Sequence, residues 1–466
     1  MTAIATPFGS SEGRYKFSGS AGLVNCYAEL SKQNKAKYNI VPSDGLVAFA
    51  TVTDTPCRGA IFLEDLDYVY SVHSGSVFQV DVAGTPTRLG TIPGQDRVRI
   101  ARNKKSTPQT VIQCATGVYI VEGGAVSKLV SDVLPTVIDV AENDGYIIYL
   151  TADKYYISSI NEATAIDGLD FADVLSSPDK NVGCYVYAGY LWLFGQRTIE
   201  IHKDTGNADF PFEPMPTVLP RGLMSKFSIA PCDNTLMFIG DDGIVYRLQG
   251  FSAPGRISNH QVERSIQGDA SQSSIFAFSW SRGGHAFYSI TGSNWTWTYD
   301  AATKEWHKRQ SYGLDIWRTT AAVHSWNYVL MGDSIGGKLF YLDQNTFTEE
   351  NGTMIAEITF PPLHVFPNGG IVDSLFLDYV VGQGVTSTTS QGYNPKIMLD
   401  YSDDGGNTFV SERQVNTGKQ GVYQTRVFTR RLGRFETTGR VFRVRQSDPV
   451  PRALALADVK VRPLKK

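Results

Sequence analysis

Short runs of strand-forming residues, bounded by Gly, Asp, Pro and Ser, recur along most of this 466-residue chain. Several pair across clear turns: Tyr146–Leu150 and Tyr155–Ile160 flank the turn TADK, while Thr235–Ile239 and Ile244–Leu248 flank Gly-Asp-Asp-Gly. Groups of three or four such strands without long helices are typical of stacked β-propeller blades. The pattern predicts an all-β protein with an irregular β-propeller over residues 41–360, of roughly five to seven blades.

The sequence changes character at Phe360–Gly370, where the run FPPLHVFPNGG concentrates Pro and Gly. Proline blocks both helix continuation and ladder hydrogen bonds, which suits a boundary. Beyond it the strands alternate apolar and polar residues, most clearly over Val441–Arg445, so one face meets a core and the other meets solvent. We expect a C-terminal antiparallel β domain resembling a small β-sandwich over residues 366–466, and an N-terminal extension over residues 1–40.

Helix signals are confined to Asn259–Ile266, with Ser258 as its N-cap, and to a single turn at Asn161–Asp167. No apolar run is long enough to cross a bilayer, and the first residues lack the basic start and apolar core of a signal peptide. These observations predict a soluble protein with no membrane partner. The formal net charge of −3 gives no global attraction to nucleic acid.

The cysteines and histidines show no metal-ligand spacing. The five cysteines are scattered, mostly within apolar runs, which predicts buried thiols and synthesis in a reducing, intracellular place. The seven histidines are dispersed along the chain. We therefore expect neither a metal nor a cofactor.

Catalytic motifs are also missing, since the chain contains no GxGxxG, GxxxxGK[ST], GxSxG or HExxH. The carboxylates of Glu64–Asp67 and Asp241–Asp242 fit turns that Asp side chains cap, although a catalytic pair assembled from distant blades stays open at this point. The segment Ser402–Phe409 has the form S-x-D-x-G-x-T-aromatic and resembles an Asp-box, a hairpin turn that usually lies away from any active site. The sequence predicts no catalytic residues and no enzyme.

The strongest electrostatic feature lies in the last part of the chain. From Arg413 to Lys466 there are fourteen basic and three acidic residues, a net charge of +11 within a chain of −3. A face of this kind would meet either DNA phosphates or an acidic neighbouring subunit, and an ordinary solvated sheet surface is the plain alternative. The candidate residues for this basic interface or lumen face are Arg430, Arg431, Arg434, Arg440, Arg443 and Arg445. Arg443 and Arg445 should share one face of their strand.

Three segments resemble one protein family, the packaged-DNA stabilisation proteins of short-tailed phages, also called tail accessory factors, hub or nozzle proteins. Val24–Glu29 (VNCYAE) is similar to an element near the start of the family's chains. Leu193–Glu200 (LFGQRTIE), followed by Thr205-Gly206, is similar to its FGxxTIE…TG signature. Arg426–Arg434 (RVFTRRLGR), followed by Phe442–Arg445 (FRVR), is similar to its closing element. The order and spacing agree over nearly the full chain.

The resemblance implies a structural protein of the virion tail, made in the host cytoplasm. Such a protein forms a six-fold ring that docks below the portal-adaptor ring, closes the DNA-filled head and forms part of the DNA exit channel. Its implied partners are copies of itself, the portal-adaptor ring, the tail needle or plug, the tailspikes or fibres, and DNA that passes without sequence-specific contact. The family brings no catalytic residues.

Two other functions remain open. Aromatic richness and the Asp-box allow a carbohydrate- or receptor-binding β-propeller without a tail-channel role, which predicts glycan binding by the isolated chain. A host adaptor scaffold built on a propeller predicts a cellular partner and no association with capsids. The three matched segments weigh against both.

Overall fold

Strands from the first fifty or so residues are distributed over several sheets of the molecule. The computed structural model describes residues 2–15, 19–31, 35–174, 179–350 and 352–464. The N-terminal strands are β1 (Thr2–Ile4), β2 (Ser11–Glu12), β3 (Ser20–Val24), β4 (Cys26–Leu30), β5 (Tyr38–Pro42) and β6 (Gly45–Thr53).

Seven four-stranded blades follow within the described residues, the last of them completed by β6. Blade 1 comprises β7 (Cys57–Leu63), β8 (Tyr68–His73), β9 (Ser76–Val80) and β10 (Pro86–Thr91), and blade 2 comprises β11 (Arg99–Arg102), β12 (Thr110–Cys114), β13 (Gly117–Glu122) and β14 (Ala125–Lys128). Blade 3 comprises β15 (Asp139–Asn143), β16 (Tyr146–Leu150), β17 (Lys154–Ser159) and β18 (Glu162–Asp173), and blade 4 comprises β19 (Asn181–Tyr187), β20 (Tyr190–Gly195), β21 (Ile199–Asp204) and β22 (Phe212–Leu219). Blade 5 comprises β23 (Ala230–Cys232), β24 (Thr235–Ile239), β25 (Val245–Gln249) and β26 (Ser252–Arg256). After helix α1 (His260–Gln267), blade 6 comprises β27 (Phe276–Arg282), β28 (His285–Thr291), β29 (Thr296–Asp300) and β30 (Glu305–Lys308), and blade 7 begins with β31 (Thr319–Ser325), β32 (Tyr328–Asp333) and β33 (Gly337–Asp343).

The blades form a closed ring. Most neighbouring blades contact one another through their first strands, and β31 of blade 7 contacts β7 of blade 1. Blades 4 and 5 meet through the short turn Lys226–Ser228 and through their outermost strands β22 and β26. The outermost strand of blade 7 is β6, which pairs antiparallel with β33 in a register that places Leu46 beside Leu342 and Ala48 beside Phe340. The ring is therefore closed by β6, an early strand, which pairs with β33, the last propeller strand along the chain. The expectation of an irregular β-propeller is confirmed.

Blade strands are buried on both faces because each blade packs against two neighbours. In β16 the consecutive residues Ile148, Tyr149 and Leu150 are all 0% exposed. Alternation of the side chains places Ile148 and Leu150 on one blade face and Tyr149 on the other. This explains why the central strands read as continuous apolar runs, whereas the outer strand β18 mixes polar and apolar residues and is partly exposed.

Two short strands, β34 (Thr348–Glu349) and β35 (Gly352–Thr353), extend the sheet of blade 7 beyond β6. The remaining strands build a two-sheet sandwich. They are β36 (Ala356–Thr359), β37 (Gly370–Tyr379), β38 (Lys396–Ser402), β39 (Val410–Asn416), β40 (Val427–Phe435), β41 (Val441–Gln446) and β42 (Leu454–Pro463). One sheet has the order β4-β5-β42-β37-β40, with β1 also paired to β42. The other contains β3-β36-β41-β38-β39, with β2 paired to β3. Phe360, Phe435 and Phe442 are buried in the core that includes residues of both sheets, and the sandwich expected from the alternating pattern is confirmed.

Strand β3 joins the sandwich to the propeller. It pairs parallel with β30 of blade 6, Val24 beside Lys308, and antiparallel with β36, Leu23 beside Ile358. One sheet thus runs from blade 6 into the sandwich without interruption. The structure adds to the expected domain limits that residues 1–40 supply strands to both sandwich sheets.

The two expected helical segments have different outcomes. Helix α1 is present, but its N-cap is Asn259, whose side chain accepts hydrogen bonds from the next turn; the hydroxyl of Ser258 instead donates to Glu263. The turn expected at Asn161–Asp167 is wrong, because Glu162–Asp173 is strand β18, held by pairing with β17. No helix in the described part of the chain is long and apolar enough to cross a membrane.

Several titratable groups are buried where the N-terminal strands meet blade 6. The ring of Tyr27 contacts those of His285, Phe287 and His307. Burial lowers the pKa of His307 to about 3, although nearby Asp300 opposes the shift. A 2.7 Å hydrogen bond between Asp300 and Nδ1 of His285 raises the pKa of His285. The pKa values of the two histidines are therefore shifted in opposite directions, so His285 is protonated more readily than a free histidine and His307 less readily.

We expect His307 to make the protein sensitive to acid. Folded His307 stays neutral down to about pH 3, whereas an unfolded histidine protonates near pH 6.5. Between these values the unfolded state binds more protons, so stability falls as the pH drops, at up to about 1.4 kcal/mol per pH unit. In urea unfolding at a series of pH values below 7, His307→Gln should lose stability less steeply than the parent, while the same change at exposed His260 should leave the slope unaltered. Identical slopes for His307→Gln and the parent would refute this assignment.

Candidate functional site: the basic faces of the sandwich

The six candidate arginines occupy three different environments, and Arg440 is the most buried. Its side chain is 1% exposed, and its guanidinium forms two 2.7 Å bonds to the carboxylate of Asp403. It also donates to the carbonyl oxygens of Leu432 and Arg434 and lies 3.8 Å from the ring centre of Tyr401. Arg440 therefore holds β40, β41 and the turn after β38 together and contributes nothing to an exposed basic face.

The turn that presents Asp403 is the Asp-box-like segment. Asp404 accepts hydrogen bonds from the amides of Asn407 and Thr408 and from the hydroxyl of Ser402, and these bonds hold the pKa of its carboxyl well below the usual range. Gly405 and Gly406 have positive φ, as the tight turn requires. The motif thus shapes a turn, and the preceding aspartate anchors the buried arginine.

Arg443 and Arg445 share one face of β41, as their spacing predicts, and meet at a common carboxylate. Asp400, 3% exposed, lies 2.6 Å from Nη2 of Arg443 and 3.0 Å from Nη2 of Arg445. Arg445 also pairs with Glu412 at 2.7 Å, and the guanidinium of Arg443 lies 3.8 Å from the ring centre of Phe409. Much of this charge is neutralised inside the chain. Reversing it would repel Asp400 and disturb the fold, so these arginines are poor probes of a partner.

Arg430, Arg431 and Arg434 are the exposed members of the set. The register of the outer sandwich sheet places Arg430 and Lys460 on either side of Ser374, and Arg434 and Arg462 on either side of Ile371. Arg434 pairs with Glu436 and Arg462 with Asp373, whereas neither Arg430 nor Lys460 has an ion pair within 4 Å among the described residues. Arg431 follows with a positive φ in the irregular part of β40.

An aromatic pair lies next along the sheet, beyond the row of Arg430 and Lys460. The rings of Phe376 and Phe428 stack with centres 5.6 Å apart, and the guanidinium of Arg430 lies 5.0 Å from the centre of the Phe428 ring. We call the surface made by Arg430, Arg434, Lys460, Arg462, Phe376 and Phe428 the outer sandwich face. It presents four cations next to a partly exposed aromatic pair, and Asp458 lies beside Phe376 on the same face.

The propeller axis is closed at one end by side chains from several blades. The guanidinium of Arg97 lies 3.8 Å from the ring centre of Phe276 in blade 6 and donates to the carbonyl of Thr320 in blade 7. Arg99 of blade 2 bonds to Asp139 of blade 3 at 3.0 Å. The ring of Phe227, from a short turn between blades 4 and 5, lies 5.7 Å from both guanidinium groups. Among the described residues, this cluster therefore bridges inner strands from opposite sides of the ring across the propeller axis.

The remaining sequence candidates have structural roles. The carboxylate of Asp242 accepts bonds from the Ile244 amide, Arg221 and the hydroxyl of Tyr246, and Asp67 accepts one from the indole of Trp326. The described residues contain no group of His, Cys, Asp and Glu side chains able to hold a metal ion. All five cysteines are buried free thiols, as expected.

Sequence reasoning missed the acidic partners of the arginines and the two cations of β42. Asp400 and Asp403 precede their arginines by about forty residues, and only the pairing of β38 with β41 brings them together. Lys460 and Arg462 were visible as an alternating pair in a strand-like run, which was the available signal.

The fold and these surfaces define a class: a closed β-propeller fused to a β-sandwich, offering charged and aromatic binding faces. Family comparison then identifies the lineage. Residues 12–347 match the β-propeller and residues 358–462 the β-sandwich of bacteriophage P22 Gp10. The chain belongs to the P22 Gp10 family, which makes it a structural component of a phage tail. The family resemblance read from the three sequence segments is confirmed.

Other comparisons are weaker. None of the curated protein sequences matches this chain. Among solved structures, the computationally designed Ika8 protein aligns with a TM-score of 0.41 at 12% identity, over 64% of this chain and 99% of that one. The extracellular domain of the hybrid two component system BT4673 from B. thetaiotaomicron aligns with a TM-score of 0.45 at 9% identity, over 76% of this chain and 43% of that one. Likeness at this level bears on neither fold nor function.

Proposed function

We propose that this chain is the hub, or nozzle, of a short phage tail. In this role six copies form a ring that docks below the portal-adaptor ring, closes the DNA-filled head and surrounds the DNA exit path. The observation that carries the proposal is the family match, which covers both domains in the same order as in P22 Gp10. Its work is mechanical, and no catalytic step is required.

The closed propeller axis supports a channel between copies. Because Arg97, Arg99 and Phe227 occupy the axis, DNA would pass through the centre of the ring and not through any one propeller. The continuous sheet from blade 6 into the sandwich makes each chain a stiff block, which suits a tube wall. A net charge of −3 would let DNA slide along such a wall without tight binding.

Partners follow from the same role. The outer sandwich face suits contact with protein because covering its aromatic pair would remove apolar surface from water. DNA phosphates would contact only its cationic side chains. The portal-adaptor ring, neighbouring copies, the tail needle or plug and the tailspikes are the candidate occupants of the exposed surfaces. Buried free thiols fit synthesis in the host cytoplasm.

The decisive measurement is the mass of the chain in solution, alone and after mixing with the portal-adaptor complex of the same phage. We expect six copies to join each complex, in native mass spectrometry or mass photometry. A portal complex without its adaptor ring is the control and should bind few or no copies. Failure to join an intact adaptor ring would overturn the proposal.

A carbohydrate- or receptor-binding role is the second candidate, and one cleft favours it. A space of about 690 Å³ between blades 4, 5 and 6 is lined in part by Trp192, Tyr299, Arg247 and Lys304. Aromatic and cationic side chains together can hold a polar ring-shaped ligand. A glycan screen with the isolated chain would detect this activity, and binding there without any binding to the adaptor ring would make this the main function.

A further inference from the structure

Blade 3 carries an acidic and apolar protrusion on its outermost strand. Ile166 pairs with Ser158 and Phe171 with Tyr156, so four residues of β18, Asp167 to Asp170, lie opposite the single residue Ile157 of β17. The extra residues bulge outward from the edge of the blade. The backbone amide of Leu169 donates to the Asp167 carboxylate at 2.9 Å, which fixes the bulge.

The protrusion holds an apolar side chain in solvent. Leu169 is 83% exposed, a value that only Val130 equals among the large apolar side chains of the described residues. Val130 belongs to the adjoining loop before blade 3, and Val133 of the same loop packs against Gly168, where an added Cβ would lie 3.2 Å from its Cγ1. We call Val130, Asp132, Val133, Asp167, Leu169 and Asp170 the blade 3 knob.

The carboxylates of the knob lack cationic partners. None of Asp132, Asp167 and Asp170 has an ion pair within the described residues, and partial burial, together with the nearby charge of Asp167, raises the pKa of Asp170. A charged bulge on an edge strand protects the sheet from pairing with another chain, and this protection explains the bulge and its charge. Protection does not explain why an exposed leucine lies between two aspartates. An exposed apolar side chain with charged neighbours is the pattern of an anchor residue in a protein interface.

The outer sandwich face has the complementary composition. It presents Arg430 and Lys460, which have no carboxylate within 4 Å among the described residues, in the row next to the stacked rings of Phe376 and Phe428; the one carboxylate beside those rings in the strand register is that of Asp458. The sandwich is attached to blade 6 through β3, and the chain enters it directly from β34 and β35, which extend the sheet of blade 7. In a ring of seven blades, blade 3 lies across from the boundary between blades 6 and 7. The two surfaces therefore lie on opposite sides of the chain, so contact between them joins copies head to tail, and the assembly is a ring when the rotation from copy to copy closes.

Given the ring of the proposed function, on which this inference rests, we propose that the blade 3 knob of each copy docks on the outer sandwich face of the next. Leu169 then covers the Phe376–Phe428 pair, and Asp167 and Asp170 neutralise Arg430 and Lys460. The contact is heterologous, with different surfaces on the two sides, and it closes when the last copy meets the first. Charge complementarity sets the direction of the ring and excludes face-to-face pairing of two basic surfaces.

A charge-swap experiment tests the contact on the portal-adaptor complex. One variant carries Asp167→Lys and Asp170→Lys, and the other carries Arg430→Glu and Lys460→Glu. Each alone meets like charge at every contact, so we expect at least about tenfold fewer copies bound per complex. Mixed in equal amounts, the two variants can alternate around an even-numbered ring with opposite charges at every contact, and the six-copy mass should return.

Two controls separate the outcomes. Asp209→Lys with Glu213→Lys makes the same change beside and in the outermost strand of blade 4 and should assemble like the parent. Asp167→Asn with Asp170→Asn keeps the acceptor that fixes the bulge and should weaken assembly less than the lysine variant. Normal assembly of either charge-reversed variant alone, or no recovery in the mixture, would overturn this contact while leaving the tail role intact. Failure of the parent chain to form a ring would overturn the proposed function, and this contact with it.

Discussion

Replacing Asp403 with alanine is expected to lower the free energy of unfolding by about 3–5 kcal/mol, because it strands a buried guanidinium. The side chain of Arg440 is 1% exposed, and Asp403 is its carboxylate partner. The carbonyl oxygens of Leu432 and Arg434 would still accept bonds but would not compensate the charge. Urea unfolding monitored by tryptophan fluorescence and by circular dichroism measures the loss.

A matched control exists in the same domain. Asp378 pairs with Lys35, and the side chains of Asp378 and Asp403 are equally exposed, at 39%. Their cationic partners differ, because the side chain of Lys35 is 77% exposed and that of Arg440 is 1% exposed. Asp378→Ala should therefore cost less than about 1 kcal/mol. Equal losses for the two alanine variants would mean that burial of the cation does not determine the cost, contrary to this account.

Shortening Leu46 to alanine should destabilise the protein by about 2–5 kcal/mol. Leu46 is 0% exposed and packs in β6 with Phe340, Trp317 and Leu342, where the N-terminal strand closes blade 7. The cavity would form at the closure of the ring, so we also expect faster exchange of the backbone amides in β33. Chemical denaturation and hydrogen exchange measure the two effects.

Leu30→Ala is the matched control for this change. Leu30 also lies in an N-terminal strand, β4, but its side chain is 56% exposed. Its truncation should change stability by no more than about 0.5 kcal/mol. A small effect of Leu46→Ala, similar to that of Leu30→Ala, would show that β6 adds little to closure of the propeller.

The propeller could be predicted because its signals are local. Hairpins such as Tyr146–Leu150 with its partner, or the strands around Gly-Asp-Asp-Gly, need only a turn and two short apolar runs, and both lie where expected. The predicted N-cap of helix α1, Ser258, precedes the observed N-cap, Asn259, by one residue, which is within the usual uncertainty of helix ends. The prediction of a helical turn after Asn161 was wrong because the Asp, Ala and Glu residues of this segment are common in helices. Pairing with β17 makes the segment a strand.

The candidate surface was predicted in part. Period-two alternation correctly placed Arg443 and Arg445 on one side of their strand. Whether an arginine faces solvent or a carboxylate depends on the register between strands far apart in sequence, which alternation does not encode. Asp400 and Asp403 therefore could not be assigned as partners. The same limit applies to residues 1–40, whose strands pair with segments near the other end of the chain.

The pairing of early with late strands also sets the order in which the protein can mature during synthesis. β6 leaves the ribosome before any blade but has no partner until β33 is made, and β1 waits for β42. Until then blade 7 lacks its outer strand and the sandwich lacks several of its edges. Contacts this distant along the chain form slowly. A nascent chain consequently cannot present a finished outer sandwich face before β42, the last strand of that sheet, has been made.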